Sequence, residues 1–465
     1  MRQWMVAAKK ADFYAIAEKF HVDPVVARII RNREVIGEKN IRIYLGGNLS
    51  DLSDPHQMKD MDRLVEILAQ KIRKQVHIRI IGDYDVDGVT SSHLFLTALR
   101  RVGAKVDVVI PHRIQDGYGL SLHLLQQAKE DGVDTILTCD NGIAAIDEIA
   151  WAKAQKMTVL VTDHHAVPFE EHEGRRTEKK SLADAVVNPH QQDCRYPYKE
   201  LCGAGVAWNV IRVLYENYDM DKREAEDLLD FVAMATVCDV MSLTGENRIL
   251  VKEGLKRIRH TKNIGLQALM QACNVQPENI SAYHFGYVLG PCVNATGRLD
   301  TARHALRLFE TGQETEAEEI ARDLVDLNQE RKELTLQGVE MAKKLCEEGG
   351  YENDPVLVLF LPDVHESIAG LIAGRIREMY NRPVFVLTRG EEGVKGSGRS
   401  TENYSMYEEL VKCDSLLLQY GGHPMAAGLS IEEANVEAFR RQLNENCTLT
   451  EEDMIPKIVI DVPMP

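Results

Sequence analysis

The sequence predicts an α/β fold: a larger domain built on a parallel sheet, joined by a long helix to a smaller α/β domain, with a cleft between them. Three observations predict it. From 76 to about 190, β-branched apolar runs alternate with helical patterns, the signature of βαβ units. Three of those runs end in acids or histidines, where open α/β sheets present ligand residues. A proline-free helical pattern over 313–347 then separates this region from a second strand–helix–strand unit.

Totals set the frame. A chain of 465 residues fits two or three domains, each able to bury a full core. Hydrophobic residues at 44% and charged residues at 27% fit a soluble globular protein. The formal charge of −17 argues against indiscriminate duplex binding through a broad basic face, although a narrow basic channel can coexist with an acidic exterior. Nine cysteines with no CxxC pair argue against a disulfide framework and a zinc knuckle, and for reduced thiols in a cytoplasmic protein. No apolar run reaches the ~20 residues of a membrane span, and the N-terminus lacks a signal-peptide core.

The elements follow in order. Residues 1–75 read as short helices around the polar loop Gly46-Gly47-Asn48-Leu49-Ser50-Asp51. Strands and helices alternate at 77–82, 88–102, 105–110, 121–131, 134–139, 143–155 and 157–162. The charged insert 169–181 reads as a solvated loop, and 200–310 as mainly helical. Within it, Ala225 to Val240 is apolar on most sides, a buried helix with Asp239 at its end. Domain boundaries fall at 76–312 and 348–450, with 313–347 as the linking helix. In the second unit Val356-Leu357-Val358-Leu359-Phe360 and Val384-Phe385-Val386-Leu387 are strands flanking a helix at 366–380. Gly396-Ser397-Gly398-Arg399-Ser400 and Gly421-Gly422-His423-Pro424-Met425-Ala426-Ala427-Gly428 read as glycine-rich turns that let backbone approach a ligand. The strand-like run at 457–462 needs a partner and predicts, over 451–465, the start of a further, truncated domain.

The acids carry the chemistry. Asp83, Asp85 and Asp87 lie two residues apart directly after Ile78-Arg79-Ile80-Ile81. Like charges ~4 Å apart at an effective dielectric of ~20 cost about 4 kcal/mol per pair, so the carboxylates fan into solvent or converge on cations. The same grammar recurs at Asp140-Asn141-Gly142 and at Asp163-His164-His165. Oxygen-rich ligands with a histidine suit a hard divalent ion, manganese or magnesium above all.

These motifs resemble a known family. Asp85-Val86-Asp87-Gly88, Asp140-Asn141-Gly142, Asp163-His164-His165 and Asp239 match, in order, the four motifs of DHH phosphoesterases. Gly421-Gly422-His423 with Ala426-Ala427-Gly428 matches the glycine-rich motif of the accompanying DHHA1 domain. Over about 45–430 the chain is most similar to the RecJ family, through Gly82-Asp83-Tyr84-Asp85, Gly117-Tyr118-Gly119, Leu201-Cys202-Gly203-Ala204-Gly205-Val206-Ala207, Asn247-Arg248, Asn294-Ala295-Thr296-Gly297-Arg298-Leu299 and Gly396-Ser397-Gly398-Arg399-Ser400. It departs at Cys292, where the family usually has an arginine, and around Asp239, where Cys238 and Ser242 replace a small residue and a proline.

The resemblance implies a metal-dependent 5′-to-3′ exonuclease that hydrolyses single-stranded DNA to nucleotides in repair and recombination. It implies two divalent ions, Mn2+ or Mg2+, held by Asp85, Asp87, Asp140, His164 and Asp239, with Asp140 or a similar carboxylate bridging. Asp83 is a direct or supporting ligand, Asp163 orients a histidine, and His165 contacts the scissile phosphate or protonates the leaving oxygen, or else only supports a neighbour by a hydrogen bond. Arg113, Arg298, Ser397 and Arg399 would hold phosphate, His423 would face the cleft, and Tyr118 would stack a base or serve the core. Partners would be single-stranded nucleic acid with a 5′-phosphate, a helicase and a single-strand-binding protein, with no membrane. An OB-fold, which the family usually carries after DHHA1, would begin at the terminal strand. Two other readings fit the same motifs: a DHH phosphodiesterase on short oligoribonucleotides or cyclic dinucleotides, and, more remotely, an inactive Cdc45-like scaffold.

Overall fold

The computed structural model describes residues 2–463 except 8, 115, 118, 173, 174, 352, 391 and 392, so Tyr118 lies outside the described residues. The chain divides into two compact units, residues 35–328 and residues 1–34 with 329–465.

In the first unit the apolar runs form a parallel sheet in the order Val106–Val109, Ile78–Ile81, Thr135–Cys139, Thr158–Thr162, Ala185–Val187. The three central strands are buried almost throughout, as expected of a parallel sheet covered on both faces. One face packs on the Met61–Arg73, Val86–Arg101 and Gly203–Asn217 helices in the larger core, through residues such as Leu64, Phe95 and Leu214. The other face packs on the Leu122–Glu130 and Ile146–Ala154 helices through Leu125, Ile136, Ile149 and Val159. All three central strands run in the same direction, so Gly82–Asp87, Asp140–Gly142 and Asp163–His165 emerge at one sheet edge.

The helical stretch after the sheet forms as expected, with the apolar run resolved into Arg223–Glu226 and Leu229–Cys238. The 169–181 insert is not a plain loop. Phe169–His172 and Arg175–Glu178 pair antiparallel. Their polar sequence shows no apolar alternation because the hairpin is two-stranded and joins neither of the five-stranded sheets.

In the second unit the sheet order is Leu417–His423, Ala426–Ile431, Gly393–Arg399, Val384–Gly390, Leu357–Phe360, with only the last pair parallel. The Glu366–Tyr380 helix covers one face through Ile368 and Ile372, while Phe439 and Leu443 of Val436–Asn446 close the other. The first glycine-rich segment read as a turn lies in a strand, and the second is two strands joined by a tight turn at Pro424-Met425. The glycines of the first make room for core side chains: a Cβ on Gly396 would meet Leu387 at 2.4 Å, and one on Gly398 would meet Phe385 at 2.6 Å. The terminal strand Lys457–Ile460 has its partner in Gln3–Val6, in parallel register, a strand the N-terminal sequence does not announce.

The Glu314–Glu348 helix runs through 35 residues without interruption. Its first part buries Ala317, Ala321 and Leu324 in the core of the first unit, and its last part buries Val339 and Ala342 in that of the second. No helix among the described residues is long and apolar enough to cross a membrane.

Candidate metal centre

The acidic loop forms because a buried strand must turn into a helix. After Ile81, Gly82 allows the chain to pass under Ser92, where a Cβ would lie 2.1 Å from the Ser92 hydroxyl. Asp85 caps the next helix by accepting from the Gly88 N–H at 3.0 Å. Asp87, in the first turn of that helix, accepts from the Gly203 and Ala204 N–H groups at 2.6 and 2.8 Å. Those amides open the Gly203–Asn217 helix, which has no side-chain cap of its own, so Asp87 caps it from another element. Gly203 is required for this approach: a Cβ there would lie 2.7 Å from the Asp140 Cβ.

Asp140 adopts φ +62, a conformation aspartate tolerates better than most residues. Asn141 ties the two strand ends together, donating to Ile81 O at 3.1 Å and Cys139 O at 2.9 Å. Asp163 is buried and accepts from the backbone of Ile143, His164 and His165 and from His165 Nδ1, the last at 2.7 Å. Asp239 caps the C-terminus of Leu229–Cys238.

These side chains converge. His164 Nε2 lies 3.1 Å from Asp140 Oδ1, 3.6 Å from Asp239 Oδ2 and 3.7 Å from Asp87 Oδ2. Ligand atoms of Asp83, Asp85 and Asp140 lie within 4.8 Å of one another, as do those of Asp87, His164 and Asp239 and those of Asp140, His164 and His165. Asp140 belongs to two of these groups, between the others. Asp83 Oδ1, His164 Nε2 and Asp239 Oδ2 are buried without a hydrogen-bond partner. Buried polar atoms in that state are rare, and oxygens with one imidazole nitrogen are the donor set of a hard divalent cation. The residues fit one.

The electrostatics agree. Burial, then the charge of Asp85, pushes Asp83 well above the usual carboxylate range. Burial with Asp87 and Asp85 does the same to Asp140. Burial and Asp87 raise Asp239 to about 8. Burial lowers His164, which keeps its ring neutral and able to ligate. His165 moves the other way. Burial works against its charge, but the bond to Asp163 and that carboxylate's charge raise it to about 9. At neutral pH it is an imidazolium, suited to touching phosphate or giving up a proton.

Around this centre, Arg113 lays its guanidinium 3.9 Å from the Tyr84 ring centroid and donates to Gly297 O at 2.9 Å. Arg298 lies on the same Gly290–Leu299 helix as Gly297, near enough to Tyr84 for its charge to act on the phenol. Asn294 of that helix accepts from the Val86 N–H at 3.2 Å. Cys292 is a core residue whose sulfur donates to Val288 O at 3.3 Å. In the second unit Arg399 donates to Gly398 O at 2.7 Å and to Ser397 Oγ at 3.3 Å. Burial and Arg377 lower its pKa. His423 is exposed at the end of its strand. Three supports escaped the sequence reading: the Gly203 and Ala204 amides, Asn141 and Asn294. The signal for the first was a glycine-rich segment opening a helix.

Family models match at two places: the DHH family, N-terminal domain, over residues 77–236, and the DHHA1 domain over residues 353–448. The single-stranded-DNA-specific exonuclease RecJ of Bacillus subtilis is 34% identical over 452 residues, covering 96% of this chain and 56% of that protein. The protein of the same name from Haemophilus influenzae is 36% identical over 440 residues, 91% of this chain and 74% of the relative. The chain thus spans between about half and three quarters of these relatives. The crystal structure of RecJ from Thermus thermophilus in complex with Mn2+ superposes with a TM-score of 0.83 at 29% identity, covering 100% of this chain and 65% of that one. A structure of exonuclease RecJ bound to manganese gives 0.73 at 32% identity, with 85% and 96% covered. With both domains in place and more than a third of its aligned residues shared with such a relative, the chain belongs to the RecJ family.

Proposed function

We propose that this chain is a divalent-metal-dependent exonuclease that degrades single-stranded DNA from a 5′-phosphorylated end, in DNA repair and recombination. The observation that carries the reading is the convergence of Asp83, Asp85, Asp87, Asp140, His164 and Asp239 at one sheet edge with buried, unpartnered Asp83, His164 and Asp239 atoms. The names of the relatives, single-stranded-DNA-specific exonucleases, and the Mn2+ and Mg2+ complexes of the Thermus protein support the substrate and the ion.

In this reading Asp85, Asp87, Asp140, His164 and Asp239 would hold two cations, with Asp83 as a further ligand. Bound there, the pair would supply an activated water and offset the charge developing on the phosphate. The chain's own residues do the rest. The Gly203 and Ala204 amides fix Asp87 in orientation, and Asp163 fixes His165. His165, charged at neutral pH, gives its Nε2 proton to the leaving oxygen. A bound cation would offset the Asp239 and Asp87 contributions to that charge, but the 2.7 Å bond to Asp163 would remain. Arg113, Arg298, Ser397 and Arg399 are the candidates for holding the terminal phosphate, with His423 and Tyr118 as further substrate contacts. The reading includes a helicase and a single-strand-binding protein as partners, and a cytoplasmic setting, which nine undisulfided cysteines fit.

The test compares a 5′-phosphorylated strand of about 20 nucleotides, longer than typical single-strand site sizes, with a dinucleotide. Each is assayed in chelator and after adding back manganese or magnesium. Metal-dependent release of nucleotides from the 5′ end of the strand is the expected result. Full activity in chelator removes the reading, and turnover of the dinucleotide alone transfers the chain to the short-substrate phosphodiesterases.

A further inference from the structure

One aromatic feature of the first unit has no part in the chemistry above. The segment entering the Gly290–Leu299 helix runs through Ala282–His284 and a π-helical turn, Phe285–Leu289. Single π turns are uncommon and cluster at functional sites. This one is two-sided. Phe285 and Leu289 are fully buried, whereas Tyr283 is 62% and Tyr287 72% exposed. The two tyrosine rings stack on each other, centroids 5.1 Å apart and planes at 26°.

The pair stands on the element that borders the metal centre. Cys238, the residue before Asp239, donates its thiol to Phe285 O at 3.3 Å. A Cβ on Gly286 would touch Val237 at 3.5 Å, and one on Gly290 would meet the Cys238 sulfur at 2.3 Å. Further along the same helix Asn294 holds the Val86 N–H, and Gly297 lies against Tyr84 O, where a Cβ would come within 2.3 Å. Beside Asp239, Val240 is held at φ +58, a strained conformation for a β-branched residue, with its side chain 87% exposed. An apolar residue and two stacked phenols thus lie in the open on the two segments joined at Cys238 and Phe285, one residue before Asp239.

We propose that Tyr283 and Tyr287 form a stacking platform for the bases of the single strand whose phosphodiester is cut at the metal centre, with Val240 at its edge. This rests on the exonuclease reading. A strand-degrading site must hold every base in turn without reading it. Aromatic faces do this, because every base has a π-face and stacking is tolerant of sequence. The acidic chain cannot hold a strand by broad charge attraction alone, so stacking adds a contact beside the few arginines that hold phosphate.

The test uses the full chain with manganese and two 5′-phosphorylated strands of equal length, oligothymidylate and a strand of abasic sugar-phosphates. KM is measured on both for wild type, Tyr283→Ala/Tyr287→Ala and Tyr283→Trp/Tyr287→Trp, with a thermal melt on each variant. Wild type is expected to favour the base-bearing strand by roughly tenfold or more. The alanine pair should bring the ratio towards one, and the tryptophan pair should keep it. Because both side chains are exposed, folding should persist, and single Tyr287→Ala gives a second reading with a smaller drop in the same ratio. An alanine pair that keeps the wild-type ratio overturns the platform and leaves the exonuclease reading standing. A tryptophan pair that loses the ratio overturns it as well. A wild-type chain that degrades neither strand overturns both.

Discussion

The strand-end acids of the first unit and the Ser397–Arg399 strand of the second are opposites built on the same principle. In the first, burial and mutual repulsion raise Asp83, Asp85, Asp140 and Asp239, so each carboxylate is held where its charge is unwelcome. In the second, burial and the neighbouring Arg377 lower Arg399, so a guanidinium is held where its charge is unwelcome. Neither arrangement stabilises the fold. A cation relieves the first and an anion the second. The signs of the two shifts therefore point to the charge of the ligand each region suits, which is what the proposed activity asks of them.

The largest effects fall on the acidic side. Asp140→Ala should reduce cleavage about a thousandfold or more, since it removes the carboxylate common to two ligand groups. The circular dichroism spectrum should stay that of wild type, because Asp140 lies at a strand end and not in an apolar core. Retained activity in this variant would break the comparison at its stronger pole. Chelation should have an equally large effect on the wild-type chain, and manganese should restore activity at least as well as magnesium, because one imidazole joins the oxygen ligands. Equal activity with and without chelator would mean that the acids serve another purpose.

The next effect falls on the basic side. Arg399→Ala removes one charge-assisted contact, worth about 1.5–3 kcal/mol, or roughly ten- to a hundredfold in binding. Steady-state kinetics on 5′-phosphate and 5′-hydroxyl strands should show the preference for phosphate shrink, while manganese binding by calorimetry stays as in wild type. If the substrate ratio does not move, the lowered Arg399 is a packing feature and the symmetry between the two regions is lost.

The acidic pole was legible in the sequence and the basic pole only partly so, for a physical reason. Asp85, Asp140 and His164 follow β-branched runs, and a buried parallel strand has one usable end, so the spacing alone predicts that they meet. Ser397 and Arg399 sit among glycines, and glycine suggests a turn. Here it marks a strand whose neighbours Phe385, Leu387 and Leu429 fill the space a side chain would take. The hairpin at 169–178 was missed because a solvated two-stranded ribbon needs no apolar alternation. The pairing of Gln3–Val6 with Lys457–Ile460 was missed because nothing local records a contact between the two ends of a chain. The supports of Asp87 were missed because they are backbone amides of Gly203 and Ala204: a glycine-rich helix start signals free amides, but only the placed helix and strand pair them with Asp87.

The smallest effect concerns stability, and it sharpens the contrast because a guanidinium stays charged at every pH in question. With chelator present, Asp239 titrates near 8 in the folded chain and at the ordinary carboxylate value when unfolded. A raised acid binds more protons folded than unfolded, so stability falls as pH climbs from about 4 through about 8. His165, raised to about 9, contributes stability that is complete below its unfolded value of about 6.5 and is lost as pH rises through 9, which acts in the same direction. His164, lowered by burial, acts the other way only up to about its unfolded value of about 6.5, so the melting temperature in chelator should drop by a few degrees between about pH 7 and about pH 9. Manganese should raise it more at the higher pH, where the carboxylates it binds carry more charge. Asp239→Asn should flatten the drop without removing it: it takes away one raised acid and part of the charge that raises His165, while the bond from His165 to Asp163 remains. A melting temperature that rises with pH in chelator would mean that the acids of the first unit are not held against their charge, and only the lowered arginine of the second would then be a buried group suited to a ligand of opposite sign.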